Sequence, residues 1–212
     1  DPGGVFESKG SPLTLAELYV PLDMQEADRR TDQIRIVSSF VLEDEARIDG
    51  GVLLTGEEKV GATSLLFMLF QSFHARGLVP VYVRGTDVKS CSEKDVDSAV
   101  RKAYVDQYGE HSLERFEQFP AAQKVLLLDD FDDGPIRASA QRGRLLALVA
   151  SRFPRFIVTA SEMFDLEGVN SSLAGEALLN LKDYRLLPMG YSLRARLVKR
   201  WFQRTSSDGT MD

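Results

Sequence analysis

GVLLTGEEKVGATSLLFMLFQSF, residues Gly51 to Phe73, is the stretch whose reading decides the fold. Its apolar start, Val52 to Thr55, has the length and composition of a buried strand. Gly56 to Gly61 reads as a tight loop, and a helix is predicted from Ala62 to about Arg76, closed by Gly77. Gly56 and Gly61 are five apart, and Thr63 supplies a hydroxyl just beyond them. This spacing fits the phosphate-binding loop G-x-x-x-x-G-K-[S/T] at every fixed position but one. The lysine position holds Ala62.

Each position of such a loop has a physical task. Glycines at Gly56 and Gly61 allow positive φ and close approach of backbone to ligand. Between them Glu57, Glu58, Lys59 and Val60 contribute backbone N–H groups, and Ala62, Thr63 and Ser64 form the first helical turn. Successive N–H groups and the positive end of a helix hold an anion. The Thr63 hydroxyl suits Mg²⁺, which takes oxygen ligands. A lysine at position 62 would act as a point charge on the terminal phosphates. Lys59 lies in the loop, three residues too early to replace it. It reads either as a phosphate contact or as a solvated loop lysine.

A second motif raises the reading above an ordinary strand–glycine turn–helix. KVLLLDDFDD, Lys124 to Asp133, is an apolar run ending in paired acids. Buried parallel strands read this way, and an acid at the carboxyl end faces the ligand crevice. Asp129 is the candidate metal-holding acid, with Thr63 as its partner. Asp130 is the candidate catalytic acid that polarises an attacking water.

Composition bounds what else is possible. The 212 residues are 43% hydrophobic and 27% charged, which suits one globular unit with a sizeable core. Net charge is −6, so no general attraction for nucleic acid or anionic membrane is expected. Cys91 is the single cysteine and suits a reducing, cytoplasmic setting. His74 and His111 are far apart and form no zinc pattern. No secretory signal or spanning segment is evident. The start at Asp1 fits a piece of a longer protein.

Outward from the two motifs, the chain divides simply. Residues 1–12 read as a linker, 13–33 as an N-terminal docking segment of the main unit at 13–204, and 205–212 as a disordered tail. Ile34 to Arg47 has no clean period and fits strand or helix. Strands are expected at Leu78–Val83, Arg155–Phe164 and Asp183–Pro188. Helices are expected at Ser92–Tyr108, His111–Phe119, Ala138–Arg152 and Ser192–Arg204, the last N-capped by Ser192. Thr159 and Ser161 fit equally a phosphate sensor and plain strand-end capping. The basic face of Ser192–Arg204 reads chiefly as solvated or domain-docking, and otherwise as a surface for nucleic acid or a membrane. Strand–helix alternation of these lengths gives an α/β, three-layer fold of the P-loop NTPase kind: a mostly parallel five-stranded sheet with helices on both faces.

The order LTLAELYVPL, GEEKVGATSL, PVYVRG, AYVDQYGEHSLERF, KVLLLDDFDD and FIVTASEMF resembles the signal-transducing STAND branch of P-loop ATPases, near NACHT-type domains. In particular it is similar to ATPase domains linked to bacterial metallophosphoesterase or TIR effectors in sensor, antiphage-type proteins. The resemblance implies ATP or ADP with Mg²⁺ as cofactors. By it, Gly56, Gly61, Thr63 and Ser64 map to the phosphate loop and Asp129 and Asp130 to the Walker B acids. It also implies effector and sensor domains as partners, a homo-oligomer, and a signalling or defence role. Ala62 departs from its pattern, through natural loss or deliberate replacement.

Two functions follow. One is an ATP-binding switch or oligomerisation domain with weak or no hydrolysis. The other is a pseudo-ATPase scaffold that binds proteins and no nucleotide. Loss of the lysine cation costs on the order of 2–4 kcal/mol, about 30- to 1000-fold in affinity. A small-molecule kinase of the same fold is a weaker third reading, because no lid or acceptor-site arginine cluster is evident.

Overall fold

The computed structural model describes residues 6–7, 12–27, 34–164 and 181–205. Two short strands, β1 (Phe6–Glu7) and β2 (Pro12–Leu13), pair antiparallel. A one-turn helix, α1 (Leu15–Leu18), follows, with Glu17 accepting from the Thr14 N–H at 2.9 Å. Next come β3 (Asp23–Ala27), β4 (Ile34–Ser38), a 3₁₀ turn at Ser39–Glu43 and α2 (Glu45–Ile48). The central units are β5 (Val52–Gly56), α3 (Ala62–Ala75), β6 (Val79–Arg84), α4 (Glu93–Tyr108) and α5 (Leu113–Gln118). The chain closes with β7 (Lys124–Asp129), α6 (Ser139–Arg152), β8 (Arg155–Ser161), β9 (Lys182–Leu186) and α7 (Tyr191–Thr205).

One seven-stranded sheet runs in the order β4-β3-β9-β5-β8-β7-β6. Its five parallel strands are β9, β5, β8, β7 and β6. The expected count of five is therefore corrected to seven. The extra pair comes from the N-terminal segment, where β3 joins β9 antiparallel and β4 joins β3. What reads as a docking segment extends the sheet itself, with Met24 fully buried. Ile34 to Arg47 shows no single period because it holds a strand, a 3₁₀ turn and a four-residue helix in succession.

Alternation along each strand sorts side chains between two cores. Val125 and Leu127 of β7, with Val52 and Leu54 of β5, meet Leu65, Leu66, Leu69 and Phe73 of α3. Leu126, Leu128 and Leu53 point the other way, against Val96 and Val100 of α4 and Leu145, Leu146 and Val149 of α6. Helices thus cover both faces, and the layers are α/β/α. The same alternation has a consequence at the strand ends. Asp129 follows Val125 and Leu127 onto the α3 face, where the phosphate loop enters its helix.

Helix α7 begins one residue before the expected cap. The Arg194 N–H bonds the Gly190 carbonyl at 3.0 Å, so Ser192 lies in the first turn and Gly190 takes the cap position. The proposed tail lies outside the described residues apart from Thr205, which ends α7. No helix among the described residues is long and apolar enough to cross a membrane.

Candidate nucleotide site

The loop from Gly56 to Gly61 folds over the amino end of α3, as its spacing predicts. Gly61 takes φ +104°, a left-handed conformation that glycine adopts without the Cβ penalty. The chain can therefore turn sharply into the helix, whose first hydrogen bond runs from the Leu65 N–H to the Gly61 carbonyl at 3.0 Å. Lys59 also has positive φ, +64°. Its ammonium lies 3.2 Å from Glu58, both side chains largely exposed, so the pair is weak.

Residues 56–64 line a cavity of about 760 Å³ together with Asp130, Asp132, Asp133, Thr159, Ala160 and Ser161. This gathers in one place the predicted loop residues Gly56, Glu57, Glu58, Lys59, Val60, Gly61, Ala62, Thr63 and Ser64 with Asp130. Among the described residues five carboxylates line it, against one cation, Lys59. Asp132 and Asp133 are additions that the sequence reading did not assign. Their signal was present as the second acid pair in DDFDD.

Asp129 is 2% exposed and stands behind the cavity wall. A buried carboxylate needs donors, and three hydroxyls provide them. Thr63 Oγ1 donates to Asp129 Oδ2 at 2.8 Å, Tyr82 donates to the same oxygen at 2.7 Å, and Thr159 donates to Oδ1 at 2.6 Å. Residues 66 apart in sequence, Thr63 and Asp129, are thus joined directly. Burial and the Asp129 carboxylate push the Tyr82 phenol well above the ordinary tyrosine range. Tyr82 was not singled out from sequence.

Thr159 serves two neighbours. Its hydroxyl holds Asp129 and accepts from the Asp130 N–H at 2.8 Å. Ser161 bonds Asp132, through its N–H at 3.0 Å and its hydroxyl. Both residues thus bond to acids at or beyond the end of β7. Asp130 occupies left-handed backbone, φ 49° and ψ 53°, uncommon outside glycine and tolerated by aspartate. Burial, then Asp129, Asp133 and Asp132, raise its carboxyl above the usual range.

A second cavity, about 570 Å³ and almost wholly apolar, adjoins the first; Gly61 and Ser64 line both. Leu18, Val20 and Leu22 wall one side, and Met189, Leu197 and Trp201 the other.

The residues present fit a hydrated Mg²⁺ by donor chemistry. The Thr63 hydroxyl and the Asp129 carboxylate are oxygen ligands on fixed elements, and Mg²⁺ completes its shell with water and phosphate oxygens. The loop and α3 amino end fit an anion. At Ala62 the cradle offers a methyl group and no charge.

No protein-family model matches the chain, and no curated protein matches it. Among solved structures it is similar to AMPPCP-bound DnaA from Aquifex aeolicus, at 18% identity over 78% of this chain and 49% of that one, TM-score 0.46. It is also similar to the DnaC helicase loader, at 16% identity over 68% of this chain and 85% of that one, TM-score 0.39. A third likeness is to Cdc6p from Pyrobaculum aerophilum, at 14% identity over 72% of this chain and 43% of that one, TM-score 0.44. The chain spans about half the length of the DnaA structure.

Proposed function

We propose that this domain is a nucleotide-binding switch module that takes ATP or ADP with Mg²⁺ and, with Ala62 in place of the lysine, binds weakly and hydrolyses little or nothing. The observation that carries the reading is the 2.8 Å bond between Thr63, in the first turn of α3, and Asp129 behind the cavity wall. Two oxygen ligands from different elements meet there, beside backbone suited to phosphate. Residues 56–64 would hold the phosphates, and Thr63 and Asp129 the metal, directly or through water. The base would enter the apolar cavity that shares Gly61 and Ser64. When bound, the metal neutralises phosphate charge; Asp130 lies at the cavity to orient water.

The electrostatics favour weak binding. Glu57, Glu58, Asp130, Asp132 and Asp133 surround the cavity, and the bridging cation of position 62 is missing. Free nucleotide is repelled, so the metal complex is the bound form. This same imbalance favours the second reading, a pseudo-ATPase scaffold that uses the fold to bind proteins. The sequence resemblance to STAND, NACHT-like sensors supports a switch in a larger signalling or defence protein, with effector and sensor domains as partners and self-association as its output.

Linkage gives the test. With a dissociation constant on the order of 1 mM, about 5 mM ATP·Mg²⁺ adds about 1 kcal/mol of stability. That raises the thermal midpoint by about 2–4 °C for a domain of this size. Thr63→Val is expected to remove the rise. A Thr63→Val protein that shifts as far as the parent contradicts the proposed site.

A further inference from the structure

The sequence AYVDQYG, ending α4 and entering its exit turn, is left unexplained by the phosphate loop. In the fold it closes the outer edge of the sheet. Strand β6 is the last in the order, and in a parallel pair alternate residues direct both backbone groups outward. Tyr82 is such a residue. The Gln107 side chain meets both of its groups: Oε1 accepts from the Tyr82 N–H at 3.0 Å and Nε2 donates to the Tyr82 carbonyl at 2.6 Å. Two residues earlier stands Pro80, which has no N–H to satisfy; its carbonyl accepts from the Tyr108 hydroxyl at 2.8 Å. Gln107 therefore pairs with Tyr82 as a neighbouring strand would.

The side chain of Tyr82 crosses the sheet end to Asp129. Its ring packs on Phe67 of α3, centroids 4.9 Å apart, and its hydroxyl reaches the Oδ2 that Thr63 also bonds. Backbone, ring and hydroxyl are thus fixed by α4, α3 and β7 in turn. We propose that Tyr82 is a positioning residue that aims the Asp129 carboxylate toward Thr63, and that Gln107 holds Tyr82 in place from α4. The inference rests on the nucleotide·Mg²⁺ reading of the site. It makes the metal end of the cavity answer to the position of α4, a helix that does not line it.

Groups that orient a metal ligand without touching the metal typically contribute 10- to 100-fold to metal affinity. The test compares ATP affinity in Mg²⁺ with ATP affinity in EDTA, in the Ala62→Lys background where binding is strong enough to measure. Tyr82→Phe keeps the ring and removes only the hydroxyl. It is expected to lower the ratio of the two affinities about 10- to 100-fold. Gln107→Ala, which leaves the phenol intact, is expected to lower the ratio in the same direction and by less. Tyr108→Phe removes a hydroxyl from the same junction with no bond to Asp129, and its ratio should match the parent. Ratios for Tyr82→Phe and Gln107→Ala within about twofold of the parent overturn the assignment while leaving the nucleotide site standing. An Ala62→Lys parent that shows no Mg²⁺-dependent binding overturns the site and this role together.

Discussion

Asp129 is the residue on which the site turns: a buried carboxylate held by hydroxyls from α3, β6 and β8. Its neighbour Asp130 is held less favourably. Burial and three nearby carboxylates raise the Asp130 pKa in the folded protein, so the ionised form is disfavoured there. Its neutral form favours folding below the ordinary aspartate range, and that contribution is lost as pH rises through the raised value. At neutral pH Asp130 accordingly weighs against the fold. Asp130→Asn, which tolerates the left-handed backbone, is expected to raise the thermal midpoint at pH 7. The gain should vanish below about pH 4, as a midpoint-against-pH series would read directly. At this scale the sequence pointed to the meeting of Thr63 with Asp129, because the loop spacing and the acid at a strand end are local patterns. It did not reveal Tyr82. The role of Tyr82 depends on β6 pairing with β7, which only the sheet order supplies.

Between elements, the loops after β6 and β7 pass very close. A Cβ built on Gly85 would stand 2.2 Å from the Asp130 carbonyl oxygen and 2.8 Å from the Phe131 Cα, both backbone atoms. Backbone cannot swing aside as a side chain can, and Asp130 is further tied by its N–H to Thr159. Gly85→Ala is therefore expected to destabilise the fold by about 1–3 kcal/mol. A urea unfolding curve would report it as a lower midpoint at unchanged slope. The elements themselves were legible to different degrees. β5, β7 and β8 show as largely apolar runs because both faces are buried, whereas parallel β9, KDYRL, buries only Tyr184 and Leu186. In DMQEA of β3 Met24 is the one residue described as buried, and the stretch carries two acids, so it shows no strand period in the sequence. Its partner β4 is mostly exposed, leaving little hydrophobic signal to mark a strand.

Across the whole molecule, two unlike cavities meet at one helix terminus: an acidic one over the phosphate loop and an apolar one between the N-terminal segment and α7. The apolar cavity was not readable in the sequence. Its walls come from residues near 20, 60 and 200, each an ordinary hydrophobic position in its own segment. Helix α7 adds a further asymmetry. Arg194, Arg196, Lys199, Arg200 and Arg204 stand on one 15-residue helix without a carboxylate, in a chain of net charge −6. Arg200 donates to the Tyr19 carbonyl, tying α7 to the segment across the apolar cavity. Nucleotide in both cavities would bridge that segment, the phosphate loop and α7, which is how a bound base and phosphates could bias the packing of domains beyond them. The claim beneath all of this is that the phosphate site is sound apart from one cation. Calorimetric titration of ATP·Mg²⁺ into this protein and into Ala62→Lys, side by side, tests it most directly. The expected result is weak, near-millimolar binding to the present chain and binding about 30- to 1000-fold tighter to the lysine variant. Two proteins that both fail to bind would contradict it and leave the fold as a scaffold for protein partners.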